Sequence, residues 1–189
     1  MRPVLAGAMP KRMKLLGLSG SLRAGSHNTA VLRAMTSLVP QGTTLTIHEW
    51  RDVPMFDADQ LTNEPAPVKA LKDAIAEADG VVIVSPEYNY SIPGPLKNAL
   101  DWASRPGYQS VFKHKPVAVL GASPGVIGTA RGQQHLKVVL MAMLAEIYPQ
   151  PEICIGSVAS RFDAEGKLQE ATAELLSQML EGFVAWAAR

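Results

Sequence analysis

The sequence predicts an α/β domain built on a parallel sheet, and three observations predict it. From Met13 onward, apolar runs of strand length alternate with segments of helical period, the pattern of consecutive βα units. Val81-Val82-Ile83-Val84 is unbroken by any polar residue, as suits a central parallel strand buried on both faces. Gly, Pro, Ser and Asn concentrate after the first, third and fourth strands, on the side of an open parallel sheet where ligands bind.

The elements follow in order. Lys14 to Leu18 reads as the first strand, and Val31, Met35 and Leu38 recur at i, i+4 and i+7 as the buried stripe of a helix ended by Pro40 and Gly42. Thr43 to Glu49 alternates as a second strand. Val68, Leu71, Ile75 and Ala78 mark a second helix, stopped at Gly80 before the Val81–Val84 strand. Pro93-Gly94-Pro95 punctuates a loop and places a proline in the first turn of a third helix carrying Leu96, Ala99, Leu100 and Ala103. Pro116 to Leu120 is the fourth strand, and the helix after it carries Leu136, Val139, Leu140, Met143, Leu144 and Ile147. Glu152 to Ile155 is the expected fifth strand, before a last helix marked by Leu168, Leu175, Leu176, Met179 and Phe183. Five βα units result, in one domain over residues 13–189 with no internal repeat.

The 189 residues include 18 Lys and Arg against 17 Asp and Glu. A balance so near neutral lacks the basic excess on which nucleic-acid affinity rests. Arg2, Lys11, Arg12 and Lys14 fall within the first fourteen residues, so the remaining 14 cations face all 17 acids and the body is mildly acidic. Residues 1–12 read as a frayed, flexible extension. Its apolar stretch from Val4 to Met9, cut by Pro10, is too short for a signal-peptide core or a membrane span. The single cysteine, Cys154, has no disulfide partner in the chain, which fits a reducing cytoplasm. His27, His48, His114 and His135 are scattered without ligand spacing, so no metal is expected.

Three segments should converge on one site. Ser19-Gly20-Ser21-Leu22-Arg23-Ala24-Gly25-Ser26-His27-Asn28 offers glycines, hydroxyl and amide groups and a guanidinium ahead of a helix N-terminus, a combination suited to an anion. It has neither a GK[ST] triphosphate loop nor GxGxxG spacing, which favours a single phosphomonoester. The plainer alternative is a turn with a Ser or Asn helix cap. Ser85-Pro86-Glu87-Tyr88-Asn89-Tyr90-Ser91-Ile92-Pro93-Gly94 holds two of the four tyrosines directly after the central strand, where a planar ligand could stack; burial in the core or in a subunit contact is the competing account. Ala122-Ser123-Pro124-Gly125-Val126-Ile127-Gly128 adds backbone amides on the same side.

Gly20-Ser21-Leu22-Arg23 with Ser26 and Asn28, then Pro86-Glu87-Tyr88-Asn89-Tyr90, Ile92-Pro93-Gly94, Leu96-Lys97-Asn98-Ala99 and Asp101-Trp102, together resemble the NAD(P)H-dependent FMN reductase family, which includes chromate and quinone reductases and related azoreductases. The resemblance runs from about Met13 to the C-terminus. It implies a flavodoxin-like three-layer sandwich with a five-stranded parallel sheet of order 2-1-3-4-5, bound FMN, and NADPH or NADH as donor. Carried over by position, it implies that Ser19, Ser21, Arg23, Ser26 and Asn28 meet the FMN phosphate. Pro86, Glu87, Tyr88, Asn89 and Tyr90 would line the isoalloxazine and ribityl chain, with Ser123 and Gly125 at the far edge. It further implies a homodimer or homotetramer, with Arg131 and Glu152 in contacts between subunits, although Gln134 stands where relatives carry an aromatic residue.

The implied activity passes hydride from NAD(P)H through bound FMN to a quinone, an azo compound, a chromate-like oxyanion or free flavin. Donor and acceptor would use one slot in turn by a ping-pong mechanism, and no catalytic side chain is expected. A non-enzymatic flavodoxin-type electron carrier is the alternative, against which stand the neutral charge and the Ser/Arg phosphate loop. A receiver-like regulatory domain on the same fold would need an acidic cluster at the strand ends, where Glu87 stands alone.

Overall fold

The computed structural model describes residues 12–189; all but the last residue of the expected extension therefore lies outside the described residues. Strands β1 (Met13–Ser19), β2 (Thr43–Ile47), β3 (Gly80–Val84) and β4 (Pro116–Ala122) alternate with helices α1 (His27–Met35), α2 (Ala66–Glu77), α3 (Gly94–Ala103) and α4 (Ala130–Ala142). Two short strands, β5 (Glu146–Ile147) and β6 (Cys154–Ile155), precede the last helix, α5 (Glu170–Ala187). All pairings are parallel and the order is β2-β1-β3-β4-β5, as expected for a flavodoxin-like sheet.

Side chains alternate across the sheet and divide the core into two layers. Val82 and Val84 pack with Leu15, Leu32, Leu176 and Phe183 under α1 and α5. Val81 and Ile83 pack with Leu16, Leu18, Leu71, Leu100 and Leu136 under α2, α3 and α4. Every residue of β3 is buried, which is why this strand is so plain in the sequence. Ser26 caps α1 by accepting from the Thr29 N–H at 3.3 Å, and prolines occupy the first turns of α2 and α3, where a missing N–H costs nothing. Among the described residues, no helix is long and apolar enough to cross a membrane.

The fifth strand departs from the expectation. It is split: Glu146 and Ile147 pair with Pro116 and Val117, whereas Cys154 and Ile155 pair with Gly121 and Ala122 farther along the same edge of β4. Pro149 and Pro151 lie between the two pieces, and a residue without an N–H cannot donate to the ladder. Glu152 accordingly sits outside the strand. The second strand also ends at Ile47, short of the expected Glu49, and Leu175, expected in the buried stripe of the last helix, is 47% exposed.

Helix α4 also stops before Leu144 and Ile147, which the periodicity had placed on its stripe. The Leu144 N–H donates to Met141 O at 2.9 Å and the Ala145 N–H to Leu140 O at 3.1 Å, the paired bonds of a Schellman end. That end requires the left-handed region, and Leu144 adopts φ 61°. Leu144 is 40% exposed, so its side chain contributes limited burial against the backbone penalty. Leu144→Gly is expected to raise stability by about 1 kcal/mol, read as a higher urea midpoint at unchanged slope; a lower midpoint would show that the leucine contacts dominate.

Candidate functional site

The loops after β1, β3 and β4 meet at the carboxyl edge of the sheet and interlock around Ser85. Gly20 donates its N–H to Val84 O at 2.8 Å, and a Cβ at Gly20 would stand only 2.7 Å from Ser85 Cβ and 2.9 Å from Ser85 Cα. Gly121 faces the same residue from the other side: a Cβ there would run into the Ser85 carbonyl oxygen and Thr129 Oγ1. Only glycine at these two places lets the three loops close up.

In the first loop the polar groups divide into two sets. Ser19 is buried, its Oγ sharing a 2.7 Å hydrogen bond with Thr29 Oγ1 and accepting from the Ser21 N–H at 3.3 Å. Asn28 is also buried, donating from Nδ2 to Ala122 O at 2.9 Å and accepting from the Ala122 N–H at 2.8 Å. These two residues fasten the loop and α1 to the sheet. Arg23 is exposed and Ser21 half-exposed, and the Ser21 hydroxyl accepts from the Arg23 N–H at 3.4 Å. They stand with the N-terminus of α1, whose first N–H groups have no partner within the helix. A guanidinium, hydroxyls and a helix N-terminus form a donor set that fits a phosphate.

The second loop is a tight turn. Tyr88 and Ser91 exchange N–H to carbonyl bonds at 2.9 and 3.0 Å, and the two residues between them, Asn89 at φ 50° and Tyr90 at φ 66°, are both left-handed, as in a type I′ turn. Tyr88 is 48% and Tyr90 63% exposed, so neither tyrosine belongs to the core. Glu87 points away from the turn to the start of α4, where its carboxylate accepts from Arg131 Nε and from the Gly132 N–H, both at 3.0 Å. A negative charge is favourable at that helix end. The Arg131 guanidinium in turn lies over the Tyr90 ring, 4.0 Å from its centroid, and a cation on the ring face holds the strained tyrosine in place. His135 Nδ1 meets Ser91 Oγ at 2.9 Å on the turn's other side.

The third loop is tied to β6 by Ser123 N–H to Ile155 O and to the turn after it by Val158 N–H to Ser123 O, each at 3.0 Å, while Ser123 Oγ donates to Gly125 O at 3.1 Å. Glu152 lies beyond this loop and is satisfied within the chain. Gln134 Nε2 and Lys137 Nζ donate to its Oε1 at 2.6 and 2.8 Å, and the bond from Lys137 leads the effects that hold the carboxyl below its ordinary range. Arg131 and Glu152, expected between subunits, thus each have a partner inside one chain.

Several roles escaped the sequence reading. Ser85 is the hub of the three loops, Thr29 supports Ser19, and Trp50 Nε1 donates to Ser19 O at 3.1 Å while Arg51 donates to Leu22 O. The one available signal was the position of Trp50 and Arg51 three and four residues after the end of β2, at the same edge of the sheet. Cys154, in the short strand β6, is half-buried and accepts a weak bond from Gln133 Nε2 at 3.4 Å. Two grooves, of about 440 Å³ between α1 and the 166–173 region and about 420 Å³ between α3 and α4, lie outside the convergent loops. No group of three or more His, Cys, Asp or Glu residues able to hold a metal occurs among the described residues.

Known proteins are similar to the chain over most of its length. An NAD(P)H-dependent FMN reductase of Pseudomonas aeruginosa is 42% identical over 183 residues, covering 96% of this chain and 98% of the relative. A quinone reductase of Escherichia coli strain K12 is 42% identical over 160 residues, covering 83% and 85%. Among solved structures, the flavoenzyme NAD(P)H:acceptor oxidoreductase FerB from Paracoccus denitrificans superposes with a TM-score of 0.86 at 36% identity, covering 93% of this chain and 97% of that one. With residues 13–160 matching its pattern as well, the chain belongs to the NADPH-dependent FMN reductase family.

Proposed function

We propose that the protein is an FMN-dependent NAD(P)H oxidoreductase that reduces quinones, and that azo compounds, chromate-like oxyanions and free flavin are further acceptors. The observation that carries this reading is the interlock at Ser85, which brings the Gly20, Tyr88 and Gly121 segments to one sheet edge. FMN, when bound, supplies the centre that takes a hydride from NAD(P)H and gives it to the acceptor. The chain supplies the binding. Ser21, Arg23, Ser26 and the N-terminus of α1 hold the phosphate, with Ser19 and Asn28 fixing their backbone from behind. Pro86 to Tyr90 form the wall beside the ring system, Glu87 acting through Arg131 to set Tyr90, and Ser123 and Gly125 bound the far edge. Tyr88 and Tyr90 are exposed, and donor and acceptor use the face beside them in turn.

Self-association as a homodimer or homotetramer belongs to the same proposal. Tyr108 and Val138 are exposed and line one groove between α3 and α4, and this face is the proposed contact surface.

The test is an absorbance spectrum of the purified protein before and after anaerobic NADPH. A flavin band that bleaches, and returns on adding a quinone, is expected; colourless protein that takes up no FMN would overturn the reading. Arg23→Ala should weaken FMN binding by about tenfold or more, as loss of a charge-assisted hydrogen bond does, while the turnover of the flavin-loaded fraction stays within about twofold. Reciprocal plots should be parallel, and intersecting lines would exclude a shared slot.

A further inference from the structure

The α3 motif around Asn98 and Trp102 follows the second convergent loop in the chain and is tied to the first through a short strap. Asn98 donates from Nδ2 to Pro54 O at 2.8 Å and accepts from the Phe56 N–H at 2.7 Å. Trp102, fully buried, donates from Nε1 to the same Pro54 O at 2.9 Å and meets the Phe56 ring edge-on at 5.0 Å. A side-chain amide gripping the backbone at two points, with an indole on the shared carbonyl, leaves this stretch little freedom. The other end of the strap reaches the first loop, where Trp50 and Arg51 donate to the carbonyls of Ser19 and Leu22. Only Asp52 and Val53 lie between the two grips, and the Val53 N–H closes a turn onto Trp50 O at 3.2 Å.

The consequence for the loop follows from peptide geometry. In a trans peptide the carbonyl of one residue and the N–H of the next point in opposite directions. Drawing the Ser19 and Leu22 carbonyls toward the strap therefore turns the N–H groups of Gly20 and Arg23 away from it. The first then donates to Val84 O at 2.8 Å, and the second faces Ser21 Oγ on the inner side of the turn. A carbonyl oxygen swung the other way would present negative partial charge to an anion in the loop.

We infer that Asn98 and Trp102 are positioning residues for the phosphate site, acting through the Trp50–Phe56 strap that keeps the Ser19 and Leu22 carbonyls turned out of the loop. The inference rests on the reading of the Ser19–Ser26 loop as the holder of the FMN phosphate.

The experiment compares FMN with riboflavin, which has the same ring and ribityl chain and no phosphate. Dissociation constants for both are measured by flavin fluorescence quenching on the apoprotein, for wild type, Asn98→Leu and Trp102→Phe. Asn98→Leu removes both bonds to the strap with the same heavy-atom branching, and Trp102→Phe keeps a ring against Phe56 but loses the donor. Asn98→Leu is expected to weaken FMN about tenfold, comparable to one well-made hydrogen bond, and riboflavin by less than about twofold. Trp102→Phe should show a smaller loss, again selective for FMN, and it serves as the test should Asn98→Leu fail to fold. Equal losses for the two flavins, or no loss for either, would overturn the inference. If wild type binds the two flavins equally, the phosphate reading of the loop falls and takes the strap's role with it; if wild type discriminates and both variants keep the full discrimination, only the strap's role falls.

Discussion

Gly121→Ala is expected to destabilise the apoprotein by about 3 kcal/mol, the upper end of the cost of forcing one methyl group into a packed interior. The new Cβ has no direction in which to yield. The Ser85 carbonyl oxygen is backbone, and Thr129 Oγ1 belongs to a fully buried side chain that accepts from Gln133 Nε2 at 3.0 Å. Ser85 cannot retreat toward β1 either, because Gly20 lies against it there. Relief thus requires separating the β3 loop from the β4 loop, which opens the site, and FMN affinity should fall with stability. Gly94→Ala is the matched control. A Cβ at Gly94 meets nothing within 4 Å, in the first turn of α3, so this change should be neutral or stabilising by about 0.5 kcal/mol. The check is a pair of urea transitions with FMN titrations of both variants. A Gly121→Ala protein as stable as the Gly94→Ala protein would mean that the three loops do not interlock.

The parts of the fold that were legible are those where one physical cause dominates. β3 is buried on both faces, so its apolar run speaks directly. The parallel sheet followed from alternating βα units, whereas its strand order was implied only by the resemblance to the reductase family. The fifth strand was harder because two prolines divide it, and four residues from Glu146, Ile147, Cys154 and Ile155 carry too short a pattern to read. The end of α4 was misplaced for a different reason. Leu144 and Ile147 continue the helical spacing by coincidence, and the left-handed turn that separates them from the helix is made by a leucine, which sends no signal of the kind a glycine would.

At the site, composition showed which loops matter, since glycines, hydroxyls and Arg23 gather there. Composition does not reveal the partner of each polar group. Glu87 pairs with Arg131, 44 residues away. Trp50 and Ser19 are 31 residues apart. Such pairings depend on how helices seat on the sheet, and a local pattern contains no trace of them.

Asn28 presents the sharpest case, with its partner 94 residues away, and it yields the second large effect. β3 ends at Val84, opposite Leu120, so Ala122 extends past its neighbouring strand on that side. The Asn28 side chain takes the vacant place and pairs with both the N–H and the carbonyl of Ala122, as a peptide unit of a strand would. Asn28→Leu would leave both backbone groups buried and unpaired, at about 1–3 kcal/mol each, and the expected loss of apoprotein stability is about 3 kcal/mol. A residue that served only to contact FMN would leave the apoprotein's stability unchanged, so the urea midpoint without flavin decides between the two roles. Asn28→Asp sharpens the test through pH. A carboxylate can still accept from the Ala122 N–H, but it repels the Ala122 carbonyl unless it carries a proton to donate. The folded state therefore raises the pKa of this aspartate above the unfolded value of about 3.9. The native protein then binds more protons than the unfolded chain. Its stability relative to wild type is greatest below the unfolded pKa and is lost as pH rises through the folded one. Urea transitions of Asn28→Asp should thus lie nearer to wild type at pH 4 than at pH 7; a gap independent of pH would show that the amide does not donate to the sheet.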